Sequence, residues 1–195
     1  YSEIENLTGG ASFDTLRGDD GKNVLMGGGG KDTLVGRDGK DVLNGGFANY
    51  LDSRGDDGND TIDGGAGDDR IVVSFGSDKV AGGADTDTLD FAWVTGAVTA
   101  SLATGVGTFV SSGSWEEPYA GESGFWGGTY KVNFSEIEIL AGGSTGDKLT
   151  GDSGANGLVG RAGSDRLTGG GGRDFFLFDA ALNAVTNVDT ITDFT

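Results

Sequence analysis

An aspartate or asparagine recurs every nine residues along three stretches of the chain. The positions are Asp14, Asn23, Asp32 and Asp41; Asp60, Asp69, Asp78 and Asp87; and Asp147, Asn156, Asp165 and Asp174. Two residues after each comes an apolar side chain, usually leucine, and glycines occupy several of the places between. Surface acids scattered by chance would not keep this spacing beside an apolar column, so the twelve residues share one structural role.

One full unit of the pattern is Gly64-Gly65-Ala66-Gly67-Asp68-Asp69-Arg70-Ile71-Val72. Its glycine-rich part predicts a turn, because glycine adopts positive φ without a Cβ penalty, and the triplet around the apolar residue predicts one short strand. Two units then form one coil of eighteen residues, and parallel strands stack about 4.8 Å apart. Asp14 should lie over Asp32, and each edge should carry a ladder of carboxylates that repel one another.

The pattern resembles the calcium-binding nonapeptide of the repeats-in-toxin (RTX) family, glycine-glycine-x-glycine-x-aspartate-x-apolar-x. The resemblance extends over roughly residues 10 to 90 and 142 to 177. It implies an all-β fold, a parallel β-roll or right-handed β-solenoid, in which Ca²⁺ lies between successive turns and is held by Asp side chains and backbone carbonyls.

The resemblance implies calcium sites between residues that face each other on successive coils. The pairs are Asp14 with Asp32, Asn23 with Asp41, Asp60 with Asp78, Asp69 with Asp87, Asp147 with Asp165, and Asn156 with Asp174. About six ions result, or about eight if the one-residue register slip between Asp41 and Asp60 is bridged. Asp20, Asp38 and Asp57, in the third place of the turn, are either further ligands or solvated turn acids.

The composition excludes several classes of function. The 195 residues include 40 glycines, no cysteine and no histidine, and carry a net charge of −18. The charge excludes nucleic-acid binding, which needs a basic face. Without cysteine or histidine there is no thiolate zinc site, cysteine nucleophile or serine triad. No apolar run reaches the length of a membrane span, and the first four residues lack the features of a signal peptide.

Folding should depend on the ion. One apolar side chain per strand makes a thin core, which cannot by itself offset the entropy of so many ordered glycines and the repulsion between acids. The chain should therefore be disordered at cytosolic calcium and fold at the millimolar calcium outside the cell. The resemblance further implies a bacterial protein secreted by a type I system, with this region as its folding and stabilising part.

The chain is organised as two copies of one module. Ser2-Glu3-Ile4-Glu5 returns as Ser135-Glu136-Ile137-Glu138, and the match continues at a constant offset into both repeat blocks. We predict a first roll block at 1–90, an aromatic-rich insertion at 91–134, and a second block at 135–195. The last residues are similar to the start of the family's C-terminal cap, which indicates a piece of a larger protein.

The insertion is where a function particular to this protein should lie. Residues 98–110 alternate as strands do, whereas 111–128 are predicted to form a long loop. Trp115, Tyr119 and Trp126 could stack on sugar rings, in an adhesin or the targeting domain of a polysaccharide enzyme, or the aromatic residues could instead cap the leucine column. A glycosidase pair from Glu116, Glu117 and Glu122 would need a cleft that no pattern indicates, so no catalysis is expected.

Two further features of the sequence are expected to have structural roles only. Asp174-Phe175-Phe176-Leu177-Phe178 is predicted to be an apolar strand that packs on the core and closes the second block. The basic residues on turns and strand faces, including Arg161, are predicted to be solvated partners of the acids, each of which contributes little to stability.

Overall fold

The computed structural model describes residues 5–46, 58–116, 123–180 and 185–193; for 112–116 and 123–126 it describes the backbone alone. All the regular structure in these ranges is strand. The strands are β1 (Asn6–Thr8), β2 (Thr15–Arg17), β3 (Val24–Met26), β4 (Thr33–Asp38), β5 (Val42–Asn44), β6 (Thr61–Ala66), β7 (Arg70–Val72), β8 (Ser77–Ala84), β9 (Thr88–Asp90), β10 (Val98–Ser101), β11 (Val106–Glu116), β12 (Ser123–Ser135), β13 (Ile139–Ala141), β14 (Lys148–Thr150), β15 (Gly157–Val159), β16 (Arg166–Thr168), β17 (Phe175–Leu177) and β18 (Thr190–Ile191).

The strands form two sheets between which the chain alternates. Sheet A has the order β1-β3-β5-β7-β9-β13-β15-β17, and sheet B the order β18-β16-β14-β10-β11-β12-β8-β6-β4-β2. Every pair within sheet A is parallel. Each coil thus contributes one short strand to each sheet, which confirms the predicted parallel β-roll.

The apolar column sets the register of the stack. Leu16 pairs with Leu34 and Leu25 pairs with Leu43, eighteen residues further along the chain. Leu34 then pairs with Ile62, so the roll continues across the register slip by means of one longer coil. Residues 47–57, which include Asp57, lie outside the described residues.

The insertion adds strands to sheet B. β10 pairs in parallel with β14, β11 and β12 form an antiparallel hairpin, and β12 pairs in parallel with β8. Sheet A has no such interruption, because β13 pairs directly with β9. The two repeat blocks therefore share both sheets.

The prediction of a long loop over 111–128 was wrong, since 111–116 and 123–128 belong to β11 and β12. These segments contain many glycines and serines, which have low strand propensity. The two arms nevertheless supply each other with a full ladder, from Val106↔Asn133 to Glu116↔Ser123. Cross-strand pairing, which a local pattern does not reveal, overrides the propensity here.

The core consists of the apolar column and an aromatic cluster at the level of the insertion. Leu34, Leu43, Leu89, Leu140 and Leu167 are among the fully buried members of the column. In the cluster, the ring centroids of Phe75 and Trp93 lie 4.5 Å apart, those of Phe91 and Phe109 5.7 Å, and those of Phe109 and Tyr130 5.5 Å. Trp93 and Tyr130 of the insertion thus pack on the core.

The last strand of sheet A packs less completely than its composition predicts. Phe176 packs against the core, whereas Phe175, Leu177 and Phe178 each keep roughly half of their surface exposed. In a short strand only the central side chain points inward, so the two flanking residues of β17 lie on the outer face.

Candidate metal centre

The ninth-residue acids form a ladder along each edge of the roll. In each rung, the Oδ1 atom of one side chain accepts the backbone N–H of the corresponding residue in the preceding coil. Asp14 N donates to Asp32 Oδ1 at 2.9 Å, Asp32 N to Asp60 at 2.7 Å, and Asp60 N to Asp78 at 3.0 Å. The carboxylates are therefore fixed by the backbone and lie in register.

The opposite edge repeats this arrangement. Asn23 N donates to Asp41 Oδ1 at 2.7 Å, Asp41 N to Asp69 at 2.7 Å, and Asp69 N to Asp87 at 2.8 Å. In the second block Asp147 N donates to Asp165 at 2.8 Å and Asn156 N to Asp174 at 3.0 Å. The structure thus brings together all six predicted pairs, and it also places Asp32 over Asp60 and Asp41 over Asp69 across the longer coil.

Two ladder members were missed from the sequence. Glu138 Oε2 accepts Asp87 N–H at 3.0 Å, and Asp189 Oδ1 accepts Asp165 N–H at 3.0 Å. Glu138 stands nine residues before Asp147 and two before Leu140, so the spacing was present with glutamate in place of aspartate. Asp189 breaks the nine-residue spacing, and only the apolar Ile191 two residues later marks it.

The second carboxylate oxygen distinguishes two groups of acids. Within the described residues, the Oδ2 atoms of Asp32, Asp41, Asp69, Asp87 and Asp165 are buried without a hydrogen-bond partner. The other group has partners: Gly10 N–H donates to Asp14 Oδ2, Gly143 N–H to Asp147 Oδ2, and the Ser74 hydroxyl to Asp60 and Asp78. A buried carboxylate oxygen without a partner is costly, so the first group marks places where a ligand is needed.

The glycine at the first place of a unit explains where these oxygens point. A Cβ built on Gly36 would collide with both Asp41 Oδ2 and the carbonyl oxygen of Gly64. The same holds for Gly27, with Asp32 Oδ2 and the Gly45 carbonyl. The absence of a side chain thus leaves a small cradle lined by a carboxylate oxygen of one coil and a carbonyl oxygen of the next.

This donor set fits calcium, a hard cation that binds carboxylate and carbonyl oxygens. In the described ranges no three acidic side chains converge as one metal-binding group. An ion here would accordingly take a large share of its ligands from the backbone, as a site between glycine-rich turns allows.

Without a bound cation, the surroundings of the ladder carboxylates disfavour their ionised form. The pKa of Asp69 is raised to about 6 and that of Asp87 to about 7, chiefly by burial and in smaller part by the charge of the acid in the preceding coil. Burial likewise raises the pKa of Asp165 to about 7 and that of Asp60 to about 6. Buried carboxylates therefore favour protonation or a bound cation.

The predicted turn helpers are exposed where the structure describes them. Asp20 and Asp38 are exposed, which favours the interpretation as solvated turn acids, and Asp57 falls outside the described residues. Asp19, which sequence reasoning passed over, accepts hydrogen bonds from Gly21 N–H and Asn23 Nδ2, and these lower its pKa.

One buried acid has protein cations as partners, contrary to the prediction for Arg161. Asp90 binds the guanidinium groups of Arg70 at 2.6 Å and Arg161 at 2.7 Å. Burial works against its charge, but the two arginines lower its pKa below the usual value. Arg161 belongs to the second block and Asp90 to the first, so the pair connects the blocks.

The candidate ligands of the insertion are described only by their backbone. Trp115 and Trp126 lie on β11 and β12, opposite Gly124 and Gly113, while Tyr119 and the glutamates at 117 and 122 fall outside the described residues.

Comparison with known proteins agrees with this geometry. The family model of the RTX calcium-binding nonapeptide repeat matches in four copies, at residues 2–34, 17–50, 54–89 and 140–176. The matches extend over more than half of the chain, and the chain therefore belongs to the RTX calcium-binding repeat family as a calcium-binding β-roll module. A search of curated proteins finds no match. None of the described segments forms a helix long and apolar enough to cross a membrane.

Proposed function

We propose that this chain is a calcium-switched folding module, disordered at cytosolic calcium and folded at extracellular calcium, within a larger secreted protein. The observation that carries the proposal is the set of five buried Oδ2 atoms without partners among the described residues, four of which, all but that of Asp165, lie beside a backbone carbonyl. Asp32, Asp41 and Asp69 are each at most 2% exposed; Asp32 and Asp41 lie in one coil, and Asp69 lies in the next. A chain that buries such groups needs a cation to compensate them.

The chain's own residues explain why folding and binding are coupled. Gly27, Gly36 and Gly64 leave space for the carboxylate oxygens, and the backbone amides hold the carboxylates in register. Calcium supplies positive charge and a preference for oxygen ligands when it is bound. Since the unfolded chain has no such cradles, binding free energy becomes folding free energy. The stacking of Asp32 on Asp60 and of Asp41 on Asp69 supports the larger of the expected counts, about eight ions.

The location follows from the same coupling. Extracellular calcium modules have dissociation constants of about 10⁻⁴ to 10⁻³ M, so they are empty in a cytosol and filled outside. A chain that stays unfolded until it is outside suits the type I export route of bacterial RTX proteins. In this role the chain is an accessory module without catalysis of its own.

The test is circular dichroism of the purified chain during a calcium titration at pH 8. We expect a coil spectrum in excess chelator, a β spectrum in millimolar calcium, and reversal when chelator is added. Magnesium should substitute poorly, because it requires octahedral geometry and dehydrates reluctantly. A fully folded, heat-resistant chain in chelator would overturn the proposal.

A second candidate is recognition of a glycan or cell surface by the insertion. It is favoured by the register of the hairpin, in which Trp115 and Trp126 each lie opposite a glycine. Beyond Val110 and before Lys131, the two arms pair only with each other among the described strands. A polysaccharide that shifts tryptophan fluorescence in calcium, with the shift lost in Trp115→Ala or Trp126→Ala, would support this function; an unchanged spectrum with a glycan panel would count against it.

A further inference from the structure

The junction between the two repeat blocks is the place where the chain departs most from its own repeat. Strand β13 stacks on β9 although 51 residues separate Leu89 from Leu140. The residues that complete this junction, 136–138, belong to neither of the flanking family matches, which end at 89 and begin again at 140. None of the six calcium pairs expected from the repeat pattern bridges the two blocks.

The donors at this junction nevertheless match those of the regular coils. Asp87 is fully buried, its Oδ1 atom accepts Asp69 N–H at 2.8 Å, and its Oδ2 atom has no hydrogen-bond partner. A Cβ on Gly82 would collide with Asp87 Oδ2 and with the carbonyl oxygen of Glu136. In the preceding coil, a Cβ on Gly64 would meet Asp69 Oδ2 and the Gly82 carbonyl in the same way. The Glu136 carbonyl is therefore the counterpart of the Gly82 carbonyl, one coil further along the roll.

The backbone of Glu136 adopts an unusual conformation to reach this position. Its φ is +55°, in the left-handed region that non-glycine residues rarely occupy. The next residue on this edge, Glu138, places Oε2 3.0 Å from Asp87 N, which is the contact that an aspartate makes in the other rungs. Glutamate's longer side chain thus completes the rung without the glycine-rich turn that precedes the aspartates.

We propose that Asp87, Glu138 and the carbonyl of Glu136 form a divalent-cation site that joins the first repeat block to the second. The site rests on the proposed calcium function of the neighbouring rungs and extends it to residues outside the repeat. It holds β9 and β13 together, so the ion makes the two blocks fold as one body.

The test compares two variants with the same change of charge. Glu138→Gln removes a charged ligand and keeps an oxygen that can accept Asp87 N–H, whereas Glu136→Gln changes an exposed side chain and keeps the carbonyl. Calcium ions are counted by native mass spectrometry of the full chain. Hydrogen exchange of peptides over 84–90 and 136–141 is followed as calcium is raised.

We expect Glu138→Gln to bind one ion fewer at low calcium and to need about tenfold more calcium for protection of the junction peptides. Peptides over 23–44 should keep their calcium midpoint, and Glu136→Gln should match the wild type. Equal behaviour of the two variants, while the wild type still folds with calcium, overturns the junction site alone. A wild type that binds no calcium overturns the proposed function itself.

If Glu138→Gln does not fold, Asp87→Asn is measured against Asp85→Asn, whose side chain is exposed. Loss of one ion and a higher calcium midpoint of the junction peptides in Asp87→Asn, with the midpoint of peptides over 61–72 around Asp69 unchanged, would again support the site. Failure of both junction variants to fold at any calcium concentration would count against it, because the loss of one ion among several should weaken the fold and not abolish it.

Discussion

Replacement of Asp32 by asparagine should have opposite effects on stability with and without calcium. Asparagine is tolerated in this place, since Asn23 and Asn156 occupy equivalent rungs and are buried. The amide oxygen can still accept Asp14 N–H, so the hydrogen bond of the ladder survives. What changes is the charge on the buried oxygen that faces the Gly45 carbonyl.

The magnitude with calcium follows from mass action. At 10 mM calcium and a dissociation constant of about 10⁻⁴ M, one bound ion stabilises the folded state by about 2.7 kcal/mol. Loss of that ion should lower Tm by about 5 to 10 °C in a chain of this size. Asp32→Ala should cost about 1 kcal/mol more, because it also removes the hydrogen bond.

Without calcium the sign should reverse. Burial raises the pKa of Asp32, and the charge of Asp14 raises it further, which means that the folded chain disfavours the ionised form. A neutral amide removes this cost, so Asp32→Asn should fold at a lower concentration of trimethylamine N-oxide than the wild type in chelator at pH 8.

The assay is thermal unfolding followed by circular dichroism in 10 mM calcium, together with the osmolyte titration in chelator. Asp63→Asn is the matched control, because Asp63 lies exposed on β6 outside the ladders. The reasoning would be refuted if Asp32→Asn and Asp63→Asn had the same effect in calcium, or if Asp32→Asn lowered stability equally in both buffers.

Three further outcomes are expected. Metal-free chain should contain more β structure by circular dichroism at pH 5.5 than at pH 8. The buried carboxyls have pKa values of about 6 to 7 in the folded chain against 3.8 in the unfolded chain, so the free energy of unfolding rises as the pH falls through this range. Identical spectra at the two pH values would contradict this reasoning. Gly36→Ala should bind one calcium ion fewer in a calcium titration, because the added Cβ fills the cradle at Asp41. Gly29→Ala, where a Cβ has room, should bind as many ions as the wild type, and equal ion counts for the two variants would exclude the cradle. Arg161→Ala should lower the free energy of unfolding in saturating calcium by about 3 kcal/mol, because Asp90 then keeps only its half-exposed partner Arg70. Denaturant unfolding measures this loss, and a loss below about 0.5 kcal/mol would show that Arg70 alone compensates the charge of Asp90.

The repeat itself could be predicted because it is local. Each unit contains its own turn glycines, its acid and its single inward side chain, so the strands around Leu25, Leu34 and Leu43 and the facing of Asp14 and Asp32 follow from nine residues at a time. The role of each ladder residue as a calcium ligand stays a prediction. The structure adds that only some acids leave an oxygen without a partner, because Ser74 and the amides of Gly10 and Gly143 satisfy the others.

The pattern of residues alone determined the period, the inward apolar column and the two acidic edges, because these depend on contacts within one coil or between coils of equal length. Only the tertiary structure decided how the irregular parts join: the longer coil that places Asp32 on Asp60, the hairpin that completes sheet B, and the junction at Glu138. Those contacts connect residues 28 and 51 positions apart, and local conformational preference carries no information about which distant partner supplies the missing hydrogen bonds.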